Sequence, residues 1–189
     1  MSKAKDILDM ADDVQEIKKY IREIKDFPKK GVILRDLTLC YSNWDCFSRV
    51  IDTFKANLVG GFDYFIGIDA KGFIFSSVLA YKLGKGLVLV RKKGKLAGRT
   101  IEHPFTTEYS EGILEIDVDS FKSPARFVFV DDVLATGGTS LAVAELLKKL
   151  HKDNQIIQYM YVISLKDLDG IDNIYSQYPF TNVFSIFSY

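Results

Sequence analysis

The sequence has few of the residues that build disulfide frameworks, zinc sites or histidine-based active sites. Its 189 residues include two cysteines, Cys40 and Cys46, which lie in no C-x-x-C motif and beside no histidine. Disulfide-rich domains and zinc sites need more such residues at closer spacing, so we expect two buried, reduced thiols instead. The two histidines, His103 and His151, have no neighbouring ligand or catalytic partner, and we expect both to be surface or helix-end residues.

Long apolar runs and an excess of charge of either sign are also missing. No run approaches the roughly 18 apolar residues of a membrane span, and residues 1–6 lack the apolar core of a signal peptide. The 25 basic residues equal the 25 acidic residues in number, so a broad nucleic-acid-binding surface is not expected. These absences predict a cytoplasmic protein that contacts neither membranes nor nucleic acid.

Apolar periodicity divides the chain into alternating helices and strands. A helix is predicted from Lys3 to Ile24, and another from Trp44 to Leu58 with Trp44 on its apolar side. Further helices are predicted at Phe73–Leu83 and Leu141–Leu150, with a polar loop at Lys166–Gly170. The predicted strands are Gly31–Thr38, Asp63–Asp69, Gly86–Val90, Thr106–Val118, Gln155–Ser164 and Val183–Phe187. This alternation predicts an α/β fold with a mainly parallel sheet, formed by one domain over residues 27–189 with residues 1–26 as a helical segment packed on it.

The most informative stretch runs from Phe127 to Ser140. An apolar strand ends in Asp131 and Asp132, a short loop of small and hydroxyl residues follows, and a helix is predicted from Leu141 onward. This order leaves free backbone N–H groups at a helix N-terminus, and the two glycines of the loop let the backbone approach an anion. The loop is therefore predicted to hold a phosphate monoester.

Two carboxylates beside a phosphate site would repel the phosphate unless another group lay between them. A sugar fits this position, because Asp131 and Asp132 could accept hydrogen bonds from its hydroxyls and stabilise positive charge on its ring. The residues alone therefore indicate a phosphorylated ribose that reacts at its anomeric carbon. The stretch contains no GxxxxGK[ST] motif, so it is not a Walker loop.

Two further segments carry charge suited to a second anion. Lys71 is predicted near the start of a helix, where the helix dipole disfavours a cation unless a bound diphosphate compensates. The run from Arg91 to Arg99 holds five basic residues and no acid. Such a run is usually a solvated loop, but its glycines and its cations also suit a departing pyrophosphate.

Together these segments resemble the type I phosphoribosyltransferases, and within them the adenine phosphoribosyltransferases. The motifs that carry the resemblance are Phe27–Asp36, Gly67–Phe73, Arg91–Leu96, Glu108–Tyr109 and Phe127–Ser140, in the family's order from about Phe27 onward. The resemblance implies transfer of the phosphoribosyl group of phosphoribosyl pyrophosphate (PRPP) to adenine. It also implies a type I phosphoribosyltransferase-like sheet flanked by helices, with a small hood and a flexible antiparallel flap.

The resemblance further implies a role for each site residue. The implied catalytic residues are Glu108, which would transfer a proton at the purine imidazole ring, and Asp131 and Asp132, which would hold the ribose hydroxyls. Tyr109 of the flap would exclude water. The 5′-phosphate is expected at Ala135, Thr136, Gly137, Gly138 and Thr139. Pyrophosphate is expected at Asp69, Ala70, Lys71, Arg91 and Lys95, and adenine at Ile33, Arg35 and Val133. A homodimer is implied, as is Mg²⁺ held mainly by substrate and water.

The sequence departs from the family pattern at four positions. Lys71 and Ala70 stand where the family usually has arginine and serine, so the bidentate fork of arginine is lost. Ala97 replaces a proline and Ser110 a glycine, and losing the proline should loosen the basic loop. Because family members often hold the Asp–Ser bond in cis, our hypothesis is that Asp69–Ala70 is cis here.

Three alternatives stay open at this point. The base could be hypoxanthine, guanine or xanthine, because the PRPP motif does not distinguish the purines. A PRPP-sensing regulator without catalysis is the second, although the sequence shows no added DNA-binding domain or basic face. A generic phosphate-binding module would explain the glycines but not the paired acids. On their own, Arg35 and Asp36 are typical of a surface ion pair.

Overall fold

The structure is a computed structural model of the chain and describes residues 12–106 and 111–189. The chain divides into two compact units, one ending at Asn57 and the other running from Leu58 to Tyr189. The boundary predicted after residue 26 stays a prediction.

The first unit contains, in its described part, three helices and one antiparallel hairpin. These elements are α1 (residues 12–18), β1 (Arg22–Lys25), β2 (Ile33–Asp36), α2 (Thr38–Ser42) and α3 (Trp44–Ala56). The prediction of one helix reaching Ile24 is wrong at its end, because Ile24 lies opposite Leu34 in the hairpin. The backbone groups of this segment are paired across the two strands, and this pairing outweighs the helical spacing of its apolar residues.

The helix α3 begins at Asn43, whose side chain accepts a hydrogen bond from the Cys46 N–H at 2.9 Å. One stripe of the helix is buried through Cys46, Val50 and Phe54. Trp44 is 81% exposed, so its predicted place on the apolar side is wrong. It is the first helical residue and precedes the buried stripe. Both cysteines are buried free thiols, as predicted.

The described part of the second unit is built on one seven-stranded sheet. Its strands are β3 (Tyr64–Ile68), β4 (Gly86–Lys92), β5 (Thr100–Thr106), β6 (Glu111–Asp117), β7 (Arg126–Leu134), β8 (Gln155–Ser164) and β9 (Asn182–Ser188). Their order across the sheet is β5-β6-β4-β3-β7-β8-β9. Neighbours from β4 to β9 pair in parallel, while β6 pairs antiparallel with both β4 and β5. The predicted α/β fold with a mainly parallel sheet is confirmed.

Helices follow three of the parallel strands. They are α4 (Lys71–Leu83), α5 (Gly138–Leu150) and α6 (Gly170–Gln177), the last preceded by a 3₁₀ turn at Lys166–Leu168. The sequence predicted α4 and α5 but not α6, which buries Ile174. The strand predicted from Thr106 to Val118 is wrong in extent, because Thr106 ends β5 and a separate strand starts at Glu111. Across residues 12–106 and 111–189, no helix is both long and apolar enough to cross a membrane.

The apolar core of this unit is centred on β7 and β8. Phe129 packs against Tyr159 and Tyr161, with ring centroids 5.6 and 5.9 Å apart. Val143 and Leu147 of α5 belong to the same buried cluster, and each such side chain contributes about 1.5–3 kcal/mol on burial. On its other side β7 pairs with β3, which in turn pairs with β4. Because these three strands are parallel, their carboxyl ends meet at one edge of the sheet, which is where ligands bind in such folds.

Candidate active site

The glycine-rich loop lies between β7 and α5. Gly137 has a φ of +81° and forms the N-cap of α5, with its C=O accepting the Leu141 N–H at 2.9 Å. A Cβ at Gly138 would lie 2.0 Å from the Thr106 C=O, so no larger residue fits there. The loop and the first turn of the helix line a cavity of about 200 Å³, together with Asp131, Val133, Leu134, Ala135, Thr136, Thr139 and Ser140. All five residues predicted for the 5′-phosphate therefore border one cavity at a helix N-terminus.

The loop is supported from behind by residues that the sequence reasoning missed. The Asn173 side chain donates to the Thr136 C=O at 3.0 Å, and Gly170 lies so close to the loop that a Cβ there would sit 2.0 Å from the Ala135 C=O. Both supports belong to α6, which was predicted as loop and connection. On the other side, the buried hydroxyls of Ser140 and Tyr161 are hydrogen-bonded at 2.6 Å. The loop is thus fixed at both ends.

The tandem acids lie within β7 rather than after it, since the strand continues to Leu134. The Asp131 carboxylate accepts the Asp132 N–H at 2.9 Å, and Lys71 Nζ lies 2.9 Å from Asp132 Oδ2. Burial and the negative charge of Asp132 raise the pKa of Asp131 well above its ordinary value. Burial comes first among these causes, and a positive charge placed beside the two carboxyl groups would offset the second cause, the repulsion between them.

The second loop, between β3 and α4, contains a cis peptide bond at Asp69–Ala70, which confirms the hypothesis made from the sequence. Lys71 is the first residue of α4, an unfavourable place for a cation. Its ion pair with Asp132 supplies a negative charge that the sequence reasoning had assigned to a diphosphate alone. A Cβ at Gly72 would lie 2.7 Å from the Val130 C=O, so this glycine lets the second loop pack against β7.

The basic loop that follows β4 is held by two side chains. Arg91 Nε lies 3.1 Å from Asp69 Oδ2, and a terminal nitrogen of the same guanidinium donates to the Lys95 C=O at 3.0 Å. The N–H groups of Lys95 and Leu96 donate to Glu115 Oε1, both at 2.7 Å. Arg91 therefore connects the second loop to the basic loop.

Glu115 is a site residue that no sequence motif identifies. It lies on β6 between Leu114 and Ile116, a pattern typical of an ordinary alternating strand, yet it is 3% exposed. Burial alone would raise the pKa of Glu115, but the N–H groups of Leu96, Gly94 and Lys95 and the charge of Lys93 outweigh burial and lower it. Its carboxylate is therefore ionised at neutral pH.

These loops border a second cavity of about 380 Å³. Its lining includes the predicted pyrophosphate residues Asp69, Ala70 and Lys71 together with both tandem acids, and also Ile68, Lys92, Phe105, Leu114 and Thr139. Asp131 and Thr139 line both cavities, so the two are neighbours. Among the described residues, no three His, Cys, Asp or Glu side chains converge as a metal site.

The predicted adenine residues are divided between the two units of the chain. Val133 lines the smaller cavity, but Ile33 and Arg35 belong to the first unit, where Arg35 pairs with Glu23. The neighbouring acid Asp36 accepts a hydrogen bond from Arg22 at 2.9 Å. Glu108 and Tyr109 lie outside the described residues.

Comparisons with known proteins match most of the chain to phosphoribosyltransferases. Residues 46–158 match the family model of the phosphoribosyl transferase domain. The adenine phosphoribosyltransferase of Helicobacter pylori is 43% identical over 83% of this chain and 88% of its own length. The crystal structure of the enzyme of that name from Thermoanaerobacter pseudethanolicus has 37% identity and a TM-score of 0.85, covering 93% of this chain and 99% of its own.

A further similar structure carries ligands. The adenine phosphoribosyltransferase of Saccharomyces cerevisiae, complexed with an imino-altritol bisphosphate and adenine, has 31% identity and a TM-score of 0.84. It covers 93% of this chain and 99% of its own. Identity at this level, over nearly the full length of the relatives, shows common ancestry as well as a common fold. The chain belongs to the adenine phosphoribosyltransferase family.

Proposed function

We propose that this chain is an enzyme that transfers the 5-phosphoribosyl group of PRPP to N9 of adenine, giving AMP and pyrophosphate. One observation carries the proposal: the tandem acids of β7 are followed directly by the glycine-rich start of α5, and both lie beside the loop of Asp69, to which Arg91 is bound. A phosphate site, two sugar-binding acids and a second cationic loop are the parts that this reaction needs. The names of the relatives support adenine as the base.

The smaller cavity suits the 5′-phosphate of the substrate. Backbone N–H groups of the first turn of α5 and the hydroxyls of Thr136 and Thr139 line it, and the helix dipole adds positive potential there. With the phosphate bound at this end, the ribose would extend towards Asp131 and Asp132. Their carboxylates would then accept hydrogen bonds from the 2′- and 3′-hydroxyls.

The two acids also suit the transition state. As the bond to pyrophosphate lengthens, the ribose ring gains positive charge, and this charge would lower the pKa of Asp131 towards its ordinary value. The interaction is stronger in the transition state than in the ground state, so it raises the turnover rate more than substrate affinity.

The leaving pyrophosphate would bind across the larger cavity. Lys71 lines this cavity together with the Asp69–Ala70 segment, and Arg91 and Lys95 of the basic loop would supply further positive charge. Lys71 and Arg91 are paired with Asp132 and Asp69 in the structure described. Arrival of pyrophosphate would draw both cations away from these carboxylates and so link its binding to the charge on the tandem acids.

The donor set of this cavity fits Mg²⁺. Asp69, Asp131 and Asp132 place carboxylate oxygens on its lining, and oxygen ligands are those that Mg²⁺ prefers. When bound, Mg²⁺ would neutralise pyrophosphate oxygens and so make pyrophosphate a better leaving group. Because Lys71 and Arg91 engage two of the three acids, substrate and water would supply most of the ligands.

Adenine would be bound by Val133 beside the tandem acids and by Ile33 and Arg35 of the first unit. Glu108 would handle the proton of the imidazole ring, and Tyr109 would exclude water while the ribose is reactive. The roles of Ile33 and Arg35 are supported by the family motif Phe27–Asp36. Those of the other two residues are supported by the motif Glu108–Tyr109.

We also infer that the enzyme is a cytoplasmic homodimer. The helix α4 exposes Ile74 and Tyr81, seven residues apart and hence on one face, with 36% and 91% of their surfaces accessible. An exposed apolar stripe of this kind is suited to self-association. Light scattering of the purified protein tests the dimer directly, and a monomer at micromolar concentration would contradict it.

The function is tested by incubating the purified protein with PRPP, Mg²⁺ and each of adenine, hypoxanthine, guanine and xanthine, while AMP and pyrophosphate are measured. We expect rapid AMP formation with adenine and little product with the other three bases. Faster turnover of another purine would contradict the base assignment. PRPP binding without any nucleotide formation would favour the sensing regulator instead.

A further inference from the structure

We propose that Glu115 is a positioning residue for this reaction: its carboxylate fixes the backbone of the Gly94–Leu96 loop so that Lys95 and Arg91 face the leaving pyrophosphate. The inference rests on the proposed function of the site. Glu115 lies on β6, directly opposite Arg91 on the neighbouring strand β4. The loop begins just beyond the end of β4, so Glu115 is placed beneath it.

The contact is made to the backbone of the loop and not to its side chains. Both N–H groups, of Lys95 and Leu96, reach the single oxygen Glu115 Oε1 at 2.7 Å. The Lys95 C=O is held at the same time by the Arg91 guanidinium at 3.0 Å. The peptide group before Lys95 is therefore held by the acid, and the peptide group after it by both the acid and Arg91.

This arrangement connects the basic loop to the second loop. Arg91, which holds the Lys95 C=O, also lies 3.1 Å from Asp69. A chain of charge-assisted hydrogen bonds thus runs from Asp69 through Arg91 and Lys95 to Glu115. Removing the Glu115 carboxylate would release one end of this chain of hydrogen bonds. The position of both loops that are proposed to bind pyrophosphate would then be less restrained.

The sequence of the basic loop leaves its backbone unusually free to move. Gly94 and Gly98 both adopt positive φ, at +81° and +94°, and Ala97 stands where the family motif has proline. The loop therefore lacks a constraint on its backbone that proline would provide. Detachment of the loop would break two hydrogen bonds from its backbone N–H groups to a charged acceptor, and this loss opposes detachment.

The chemistry of the contact allows a graded test. In the Glu115→Gln variant the amide oxygen can still accept both N–H groups, so the loop keeps its acceptor but loses the charge. In Glu115→Met, of similar size, both N–H groups lose their partner. Glu102→Gln is the matched control, because Glu102 lies opposite Glu115 on β5 but forms its ion pair with Lys93 at 2.8 Å.

Pyrophosphate binding is measured by calorimetry with Mg²⁺ present, which needs no turnover. We expect roughly 10- to 100-fold weaker binding in Glu115→Met, because only part of the free energy of two hydrogen bonds to a charged group is transmitted to the bound pyrophosphate, and a loss within about threefold in Glu115→Gln. The KM for PRPP should rise in the same order, with affinity for AMP unchanged. Glu102→Gln should match the wild type in every measurement.

Amide hydrogen exchange of the wild-type protein tests the anchor without any substitution. We expect the Lys95 and Leu96 amides to be protected and to lose protection in Glu115→Met. Exchange at the rate of a free loop in the wild type would overturn the proposal, even if the Met variant does not fold. Unchanged pyrophosphate affinity in a folded Met variant would overturn it too. If the wild type forms no AMP, the proposed function fails, whereas the anchor is judged on amide exchange and pyrophosphate binding.

Discussion

The Gly138→Ala substitution tests whether close packing of the glycine-rich loop is required for phosphate binding. The added methyl carbon would lie 2.0 Å from the Thr106 C=O, while contacts under 3.0 Å essentially never occur for a Cβ, so the two must separate by at least about 1 Å. Gly138 does not have positive φ, so the clash alone causes the effect. Either the end of β5 or the first turn of α5 must move.

We expect the free energy of unfolding to fall by about 1–3 kcal/mol, as for overpacked sites. AMP affinity should fall at least about tenfold, because a displaced first turn loses hydrogen bonds to a charged phosphate. Calorimetric titration with AMP and thermal unfolding measure the two effects. Gly60→Ala is the control, since a Cβ at Gly60 meets nothing within 4 Å. Wild-type AMP affinity in Gly138→Ala would refute the argument.

Substitutions at four further positions have defined outcomes. Asp131→Asn should raise the melting temperature at neutral pH. Because the pKa of Asp131 is raised, the contribution of this residue to the free energy of unfolding is highest at pH values below its ordinary pKa. The contribution falls as the pH rises through the raised pKa. The variant should lose this part of the pH dependence, which thermal unfolding measures. Combined with Asp132→Asn, it should depress turnover more than PRPP binding in steady-state assays, and unchanged turnover would exclude the electrostatic role. Lys71→Met should weaken pyrophosphate binding in calorimetry, whereas Lys71→Arg should preserve it. An equal loss of pyrophosphate affinity in both variants would show that Lys71 does not act through its charge. Glu108→Gln should lower turnover and leave PRPP affinity largely intact, and a parallel loss of both would indicate a structural role.

Much of the central sheet could be predicted because its strands are continuous apolar runs. The predicted bounds of β8, Gln155–Ser164, are those observed, since nine of its ten residues are at least partly buried and turns flank it. The phosphate loop was predictable for a different reason: its glycines, hydroxyls and acids follow a strand and precede a helix, and that order has few other uses.

The missed elements depend on contacts between residues distant in sequence. The segment with Ile24 has helical spacing, but it pairs with Leu34 across a turn. The α6 support of the phosphate loop rests on Asn173 and Gly170, which contact residues more than thirty positions earlier. Glu115 in an alternating strand is typical of a solvent-facing acid, and only the folded loop above it explains its burial. Sequence periodicity carries no information on such partners.

The central claim is that Asp131 and Asp132 hold the ribose while the turn at Gly137 holds its phosphate. A crystal structure of the protein with bound AMP measures this directly. We predict the phosphate among the backbone N–H groups at the start of α5, with the 2′- and 3′-hydroxyls within hydrogen-bonding distance of the two carboxylates. A phosphate bound elsewhere, or ribose hydroxyls that contact neither aspartate, would contradict the claim.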